Sequence, residues 1–170
     1  MSLTDRETLA ALHGMIFGAM FLLAFAGGFA GLYSLKPALI TPQGLVERTR
    51  RLIAGTWAMA LVAWATVITG TYIVYPWYRE KGPTSPKSII VANPLTADWH
   101  TFGMEWKEHI AWLAPILATI VAVVVVYYGP RLIKHQGLRR FLMGIFVLAF
   151  ASAAVAGLMG AFITKVAPVH

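Results

Sequence analysis

Residues 112–128 read WLAPILATIVAVVVVYY, a stretch of 17 residues without a charged side chain. A helix rises ~1.5 Å per residue, so about 20 apolar residues cross the ~30 Å hydrocarbon layer of a bilayer. Inside that layer only a helix or a closed barrel satisfies every backbone N–H and C=O group. Together with the preceding turn, this stretch predicts a transmembrane helix over residues 106–128.

Three further stretches are also long, apolar and almost free of charged residues. They predict spans over residues 10–33, 52–77 and 141–164. The expected fold is therefore an all-α integral membrane bundle of four helices in up-down-up-down order, forming a single transmembrane domain over residues 1–170. Residues 78–105 form a longer connecting segment, interrupted by several Pro and Gly residues. Ala24-Phe25-Ala26 is similar to a signal-peptide cleavage site, but Asp5-Arg6-Glu7 is not a basic leader, so we expect the first span to be retained.

The composition excludes an ordinary soluble globular protein, because 58% of residues are hydrophobic and only 12% are charged. Mean hydropathy is +0.68. The chain has no cysteine, which excludes disulfides, thiolate-held zinc, cysteine-ligated iron–sulfur clusters and covalently attached c-type haem. The net charge of +7 is interpreted as a signal of membrane topology, and no nucleic-acid partner is expected.

The basic residues are distributed unevenly between the two sides of the predicted bundle. Eight of them lie in the two short loops that join spans 1 and 2 and spans 3 and 4, and six lie on the opposite side. The positive-inside rule therefore places those two loops inside. We expect a bacterial inner membrane protein with both termini and residues 78–105 on the outer side.

Two of the five histidines, His13 and His109, lie within predicted spans. Each follows the start of its span by three residues, or ~4.5 Å along the helix axis, and both spans start on the outer side. Spans 1 and 3 are diagonal in an up-down-up-down bundle, so the two imidazoles are expected to face one another at equal depth. This arrangement predicts one b-type haem held by His13 and His109 as axial ligands. His135, in a basic loop, and His170, the last residue, are not expected to take part.

Small residues on three helices are expected to make room for the flat cofactor near these histidines. They are Gly14 and Gly18 on span 1, Gly70 on span 2 and Gly157 on span 4. Small residues are also common wherever membrane helices pack closely, so close packing without a cofactor is an alternative reading.

Polar residues at the outer end are candidates to bind the haem propionates. These candidates are Arg6, Arg79, Trp99, His100 and Lys107.

Other interpretations of the histidines remain open. His100 or Met104 could replace one axial ligand, and both intramembrane histidines could instead be structural residues with hydrogen-bond partners. A non-haem metal site is a further alternative, because carboxylates and imidazoles occur close together in the sequence. The residues concerned are Asp98, His100, Glu105, Glu108 and His109.

The motifs Leu12-His13-Gly14 and Trp106-Lys107-Glu108-His109, on spans 1 and 3, resemble the small four-helix cytochrome b subunits that anchor respiratory oxidoreductases. The resemblance implies an electron-transfer subunit of a larger membrane complex, linking membrane quinone to a periplasmic partner such as a cytochrome c. Such subunits often hold two haems through four ligands. This chain has one intramembrane histidine pair, so at most one haem is expected, near the outer side.

Two competing functions differ in what the bundle binds. A cofactor-free accessory subunit would use its four helices to scaffold a respiratory or photosynthetic complex. A chlorophyll-type pigment would need only one histidine ligand.

Overall fold

The computed structural model describes residues 3–168. All regular secondary structure in this range is helical, and four helices are long and apolar enough to cross a membrane. They are span 1 (Asp5–Ser34), span 2 (Pro42–Tyr78), span 3 (Trp99–Lys134) and span 4 (Gln136–Val166). The all-α class and the four apolar spans are therefore confirmed, and they indicate a lipid bilayer as the surroundings. His170 lies outside the described residues.

The helices extend beyond the apolar stretches because polar residues form their first turns. Span 2 begins at Pro42 rather than near residue 52. The Thr41 hydroxyl caps this end by accepting a hydrogen bond from the Gly44 N–H at 3.2 Å. Pro42 suits the first helical position because its missing N–H would have no partner there. Hydropathy alone marks the part of the helix that fits in lipid, not the whole helix.

The connecting segment contains more helix than its Pro and Gly content predicts. A short helix covers Pro86–Ala92, and the Ser85 hydroxyl caps it by accepting from the Ser88 N–H at 3.2 Å. Gly82 has φ +143°, a conformation that side-chain-bearing residues rarely adopt. The Pro and Gly residues of this segment therefore separate span 2 from a new short helix, and they do not make the whole segment irregular.

Three of the spans contain a π-helical turn, and all three turns lie towards the same end of the bundle. They are Leu12–Ile16 in span 1, Gly70–Val74 in span 2 and Trp99–Met104 at the start of span 3. The remaining helical elements are Asp5–Ala11, Phe17–Ser34, Pro42–Thr69, Tyr75–Tyr78, Glu105–Ile110, Leu113–Tyr128, the 3₁₀ turns Pro37–Leu39 and Gly129–Lys134, and Gln136–Val166. Single π turns inside α-helices occur frequently at functional sites.

The half of the bundle nearer the basic loops is filled by a hydrophobic core. Span 1 packs against spans 2 and 4, and span 3 also packs against spans 2 and 4. Phe146 is fully buried in this core, and a Cβ added to Gly28 would lie 2.8 Å from its ring. Phe25 and Phe150 stack with ring centroids 4.2 Å apart. Close packing therefore explains Gly28 without a cofactor.

Polar contacts tie the spans together at both ends. The buried guanidinium of Arg139 donates to the carbonyl oxygen of Leu35, which brings the two basic loops together. At the other end Arg6 forms an ion pair with Glu80 at 2.7 Å, joining the start of span 1 to the segment after span 2. The hydrogen bond from Arg6 lowers the pKa of Glu80 below its usual value.

Candidate functional site

A cavity of about 420 Å³ lies between the four spans, in the half of the bundle away from the basic loops. Its volume is in the range of small-molecule and cofactor sites. All four spans contribute to its wall, and both His13 and His109 line it. The smallest residues of the wall are Gly14, Gly18, Ala63, Gly70, Ala111, Ala114, Ala153, Ala156 and Gly157. The structure therefore brings the two expected ligands and the four expected glycines to one cavity.

The protonation of His13 follows from its hydrogen-bond partner. Its Nδ1 lies 3.0 Å from the hydroxyl oxygen of Thr69. That hydroxyl has one proton, which it donates towards backbone carbonyls of its own helix, with the Ala65 oxygen at 2.7 Å. With the hydroxyl proton on this shorter contact, Thr69 accepts from His13, and we therefore assign the proton of the neutral imidazole to Nδ1. The Nε2 atom is left with a free lone pair.

His109 has the same tautomer for a simpler reason. Its Nδ1 lies 2.6 Å from the carbonyl oxygen of Glu105, one turn earlier in span 3. A carbonyl oxygen can only accept, so Nδ1 carries the proton and Nε2 has the free lone pair. His109 lines the cavity and also keeps a large exposed fraction. Neutral histidines that bind metals through Nε2 usually donate the Nδ1 proton to such a hydrogen-bond acceptor.

The four glycines have two different roles. A Cβ at Gly70 would lie 2.9 Å from Cε1 of His13, so Gly70 makes room for the imidazole itself. At Gly14, Gly18 and Gly157 an added Cβ would meet no atom within 4 Å. These three glycines border open space, as a site for a flat ligand requires.

His100 and Arg79 lie outside the cavity wall. His100 is buried, and its Nδ1 is 3.1 Å from the Tyr78 hydroxyl oxygen. The Arg79 guanidinium forms ion pairs with Glu105 and with Glu108, the latter at 3.5 Å. Glu108 lines the cavity, so Arg79 holds a wall residue in place rather than lining the cavity.

A non-haem metal site made of three or more side chains is not supported. Within residues 3–168, no group of three His, Asp or Glu side chains is placed to hold a metal ion. The carboxylates of Glu105 and Glu108 are both engaged by Arg79. Met104, in contrast, is buried and lines the cavity, so it remains an alternative axial ligand.

The sequence reasoning missed Thr69 and the π-helical turns. Thr69 precedes Gly70, which was singled out only for its size. A threonine inside an apolar helix commonly bonds its own backbone, and no pattern distinguishes one that also accepts from a histidine.

No protein-family model, curated protein or solved structure matches the chain. The resemblance to cytochrome b subunits therefore depends on the number of spans and the two intramembrane histidines.

Proposed function

We propose that the protein binds one b-type haem in the cavity, with Nε2 of His13 and Nε2 of His109 as axial ligands. The observation that carries this proposal is the matching state of the two imidazoles. Both line one cavity, and both have the Nδ1 proton directed to a protein oxygen. The free lone pair on each ring is therefore on Nε2, the atom that would bind iron.

The dimensions and lining of the cavity favour a large organic group over a single ion. A volume of about 420 Å³ far exceeds what one metal ion occupies. Two imidazoles without a third ligand suit a macrocycle, which supplies the remaining ligands to its iron. The bare glycine positions at Gly14, Gly18 and Gly157 leave space for a flat ring.

The proposed role is one-electron transfer between membrane quinone and a redox partner on the outer side, such as a cytochrome c. A bound haem would supply the redox chemistry. The chain would supply the ligands through its two histidines, and the four helices would form the walls around the ring. We also propose that the protein is one subunit of a larger membrane complex.

The proposed topology is up-down-up-down, with both termini and the segment after span 2 on the outer side of a bacterial inner membrane. The excess of Lys and Arg in the two loops joined by Arg139 supports this orientation. The cavity then lies nearer the outer surface.

The test is haem stoichiometry on the full chain purified in mild detergent, before and after reconstitution with haem b. We expect about one haem per chain by the pyridine haemochrome assay, and a visible spectrum that changes on reduction by a membrane-soluble quinol. Absence of haem binding even after reconstitution would favour the cofactor-free accessory subunit. A pigment spectrum without reducible iron would favour the chlorophyll-type alternative.

A further inference from the structure

Lys107 places a positive charge at the cavity, two residues before His109 in span 3. Its side chain lines the cavity and is partly buried. Its stem crosses towards span 4, where a Cβ added to Gly160 would lie 3.0 Å from Cε and 3.9 Å from Nζ of the lysine. The absence of a side chain at Gly160 gives the lysine its path.

The Lys107 ammonium forms no hydrogen bond or ion pair with any residue in the described range 3–168. Two arginines at this end of the bundle do have anionic partners. Arg6 pairs with Glu80, and Arg79 pairs with Glu105 and Glu108. The Glu108 carboxylate attracts the Lys107 ammonium electrostatically, but Glu108 forms its ion pair with Arg79. A charge within a membrane span that has no direct partner is costly and usually marks a functional position. A direct anionic partner for Lys107 is therefore expected on the ligand.

We propose that Lys107 binds a carboxylate of the molecule in the cavity, and that this carboxylate is a haem propionate. The inference rests on the proposed haem site. A charge-assisted hydrogen bond from an ammonium to a carboxylate is stronger than one between neutral groups. Lys107 is ~3 Å nearer the start of span 3 than His109 along the helix axis. Both side chains line the same cavity, so a molecule bound at His109 would lie within reach of Lys107.

The experiment compares protohaem with its dimethyl ester, in which both propionates are methylated. Dissociation constants are measured by absorbance titration of the full chain in detergent. We expect wild type to bind protohaem about 10- to 100-fold more tightly than the ester, as for one hydrogen bond to a charged group. Lys107→Met should remove most of this preference and leave affinity for the ester unchanged. Lys107→Arg should keep much of it.

Lys165→Met is the control, because Lys165 is an exposed lysine near the end of span 4. It should retain the full preference for protohaem. Equal losses for both ligands in Lys107→Met would show a structural role and overturn the inference. Equal affinity of wild type for both ligands would overturn it without any variant. In both of these cases the haem site itself would stand, whereas failure of wild type to bind either ligand would overturn the haem site as well.

Discussion

The imidazole of His13 packs against the bare Cα of Gly70, so closely that a Cβ there would lie 2.9 Å from Cε1. The two residues lie in the π-helical turns of spans 1 and 2. The preceding residue of span 2, Thr69, accepts the Nδ1 proton of the same ring. Two adjacent residues of span 2 therefore fix both the position and the tautomer of His13.

Replacing Gly70 by alanine should displace the His13 ring. We expect haem affinity to fall about 10-fold, because overpacking of this kind typically costs 1–3 kcal/mol. Gly27→Ala is the control, since a Cβ on this span 1 glycine meets no atom within 4 Å. Haem titration of both variants measures the effect. Equal haem affinities of Gly70→Ala and Gly27→Ala would contradict the described position of His13.

Replacing Thr69 by valine keeps the shape of the side chain and removes the acceptor for His13. Loss of the hydrogen-bond acceptor of a metal-binding histidine usually weakens metal binding 10- to 100-fold. It also makes the imidazole less basic, so the midpoint potential of the haem should rise. The control is Thr164→Val, because Thr164 bonds the carbonyl of Gly160 in the same way but lies outside the cavity wall. An unchanged potential in Thr69→Val would show that the hydroxyl does not act on the ligand.

Replacing Gly157 by leucine should fill part of the cavity. Because the glycine borders open space, the larger side chain should exclude the ring while leaving the thermal stability of the ligand-free protein unchanged or higher. Gly144→Leu is the matched change on the same span, since Gly144 also borders open space but does not line the cavity. Full haem occupancy in Gly157→Leu would show that the ligand lies elsewhere.

The proposed orientation can be tested by single-cysteine labelling, because the chain has no cysteine of its own. Thr84→Cys, in the segment after span 2, should react with a membrane-impermeant maleimide on intact spheroplasts. Gln43→Cys, at the opposite end of span 2, should react only after the membrane is opened. The reverse pattern would place the basic loops outside.

The membrane architecture was predictable because hydropathy depends on composition over about 20 residues. Residues 112–128 are sufficient to define a span. The helix ends were less predictable because they depend on single capping contacts, such as that of Thr41 with Gly44. Ser85 similarly starts a helix in a segment whose Pro and Gly content indicated irregular structure.

The sequence predicted that the two intramembrane histidines and the four glycines share a site, but it wrongly added His100 and Arg79, which lie outside the cavity wall. Equal depth along two helices was enough to bring His13 and His109 to one cavity. The sequence did not distinguish Gly70, which makes room for an imidazole, from Gly157, which borders open space. That difference depends on how the helices rotate about their axes, and the π-helical turns alter this rotation.

The most direct test of the account is electron paramagnetic resonance of the ferric protein, reconstituted with haem b, for wild type and for single alanine variants of His13, His109 and His135. The account predicts a low-spin bis-histidine signal in wild type and in His135→Ala. His13→Ala and His109→Ala should each lose that signal, through high-spin iron or loss of haem. A wild-type low-spin signal in either of these two variants would contradict the proposed ligation.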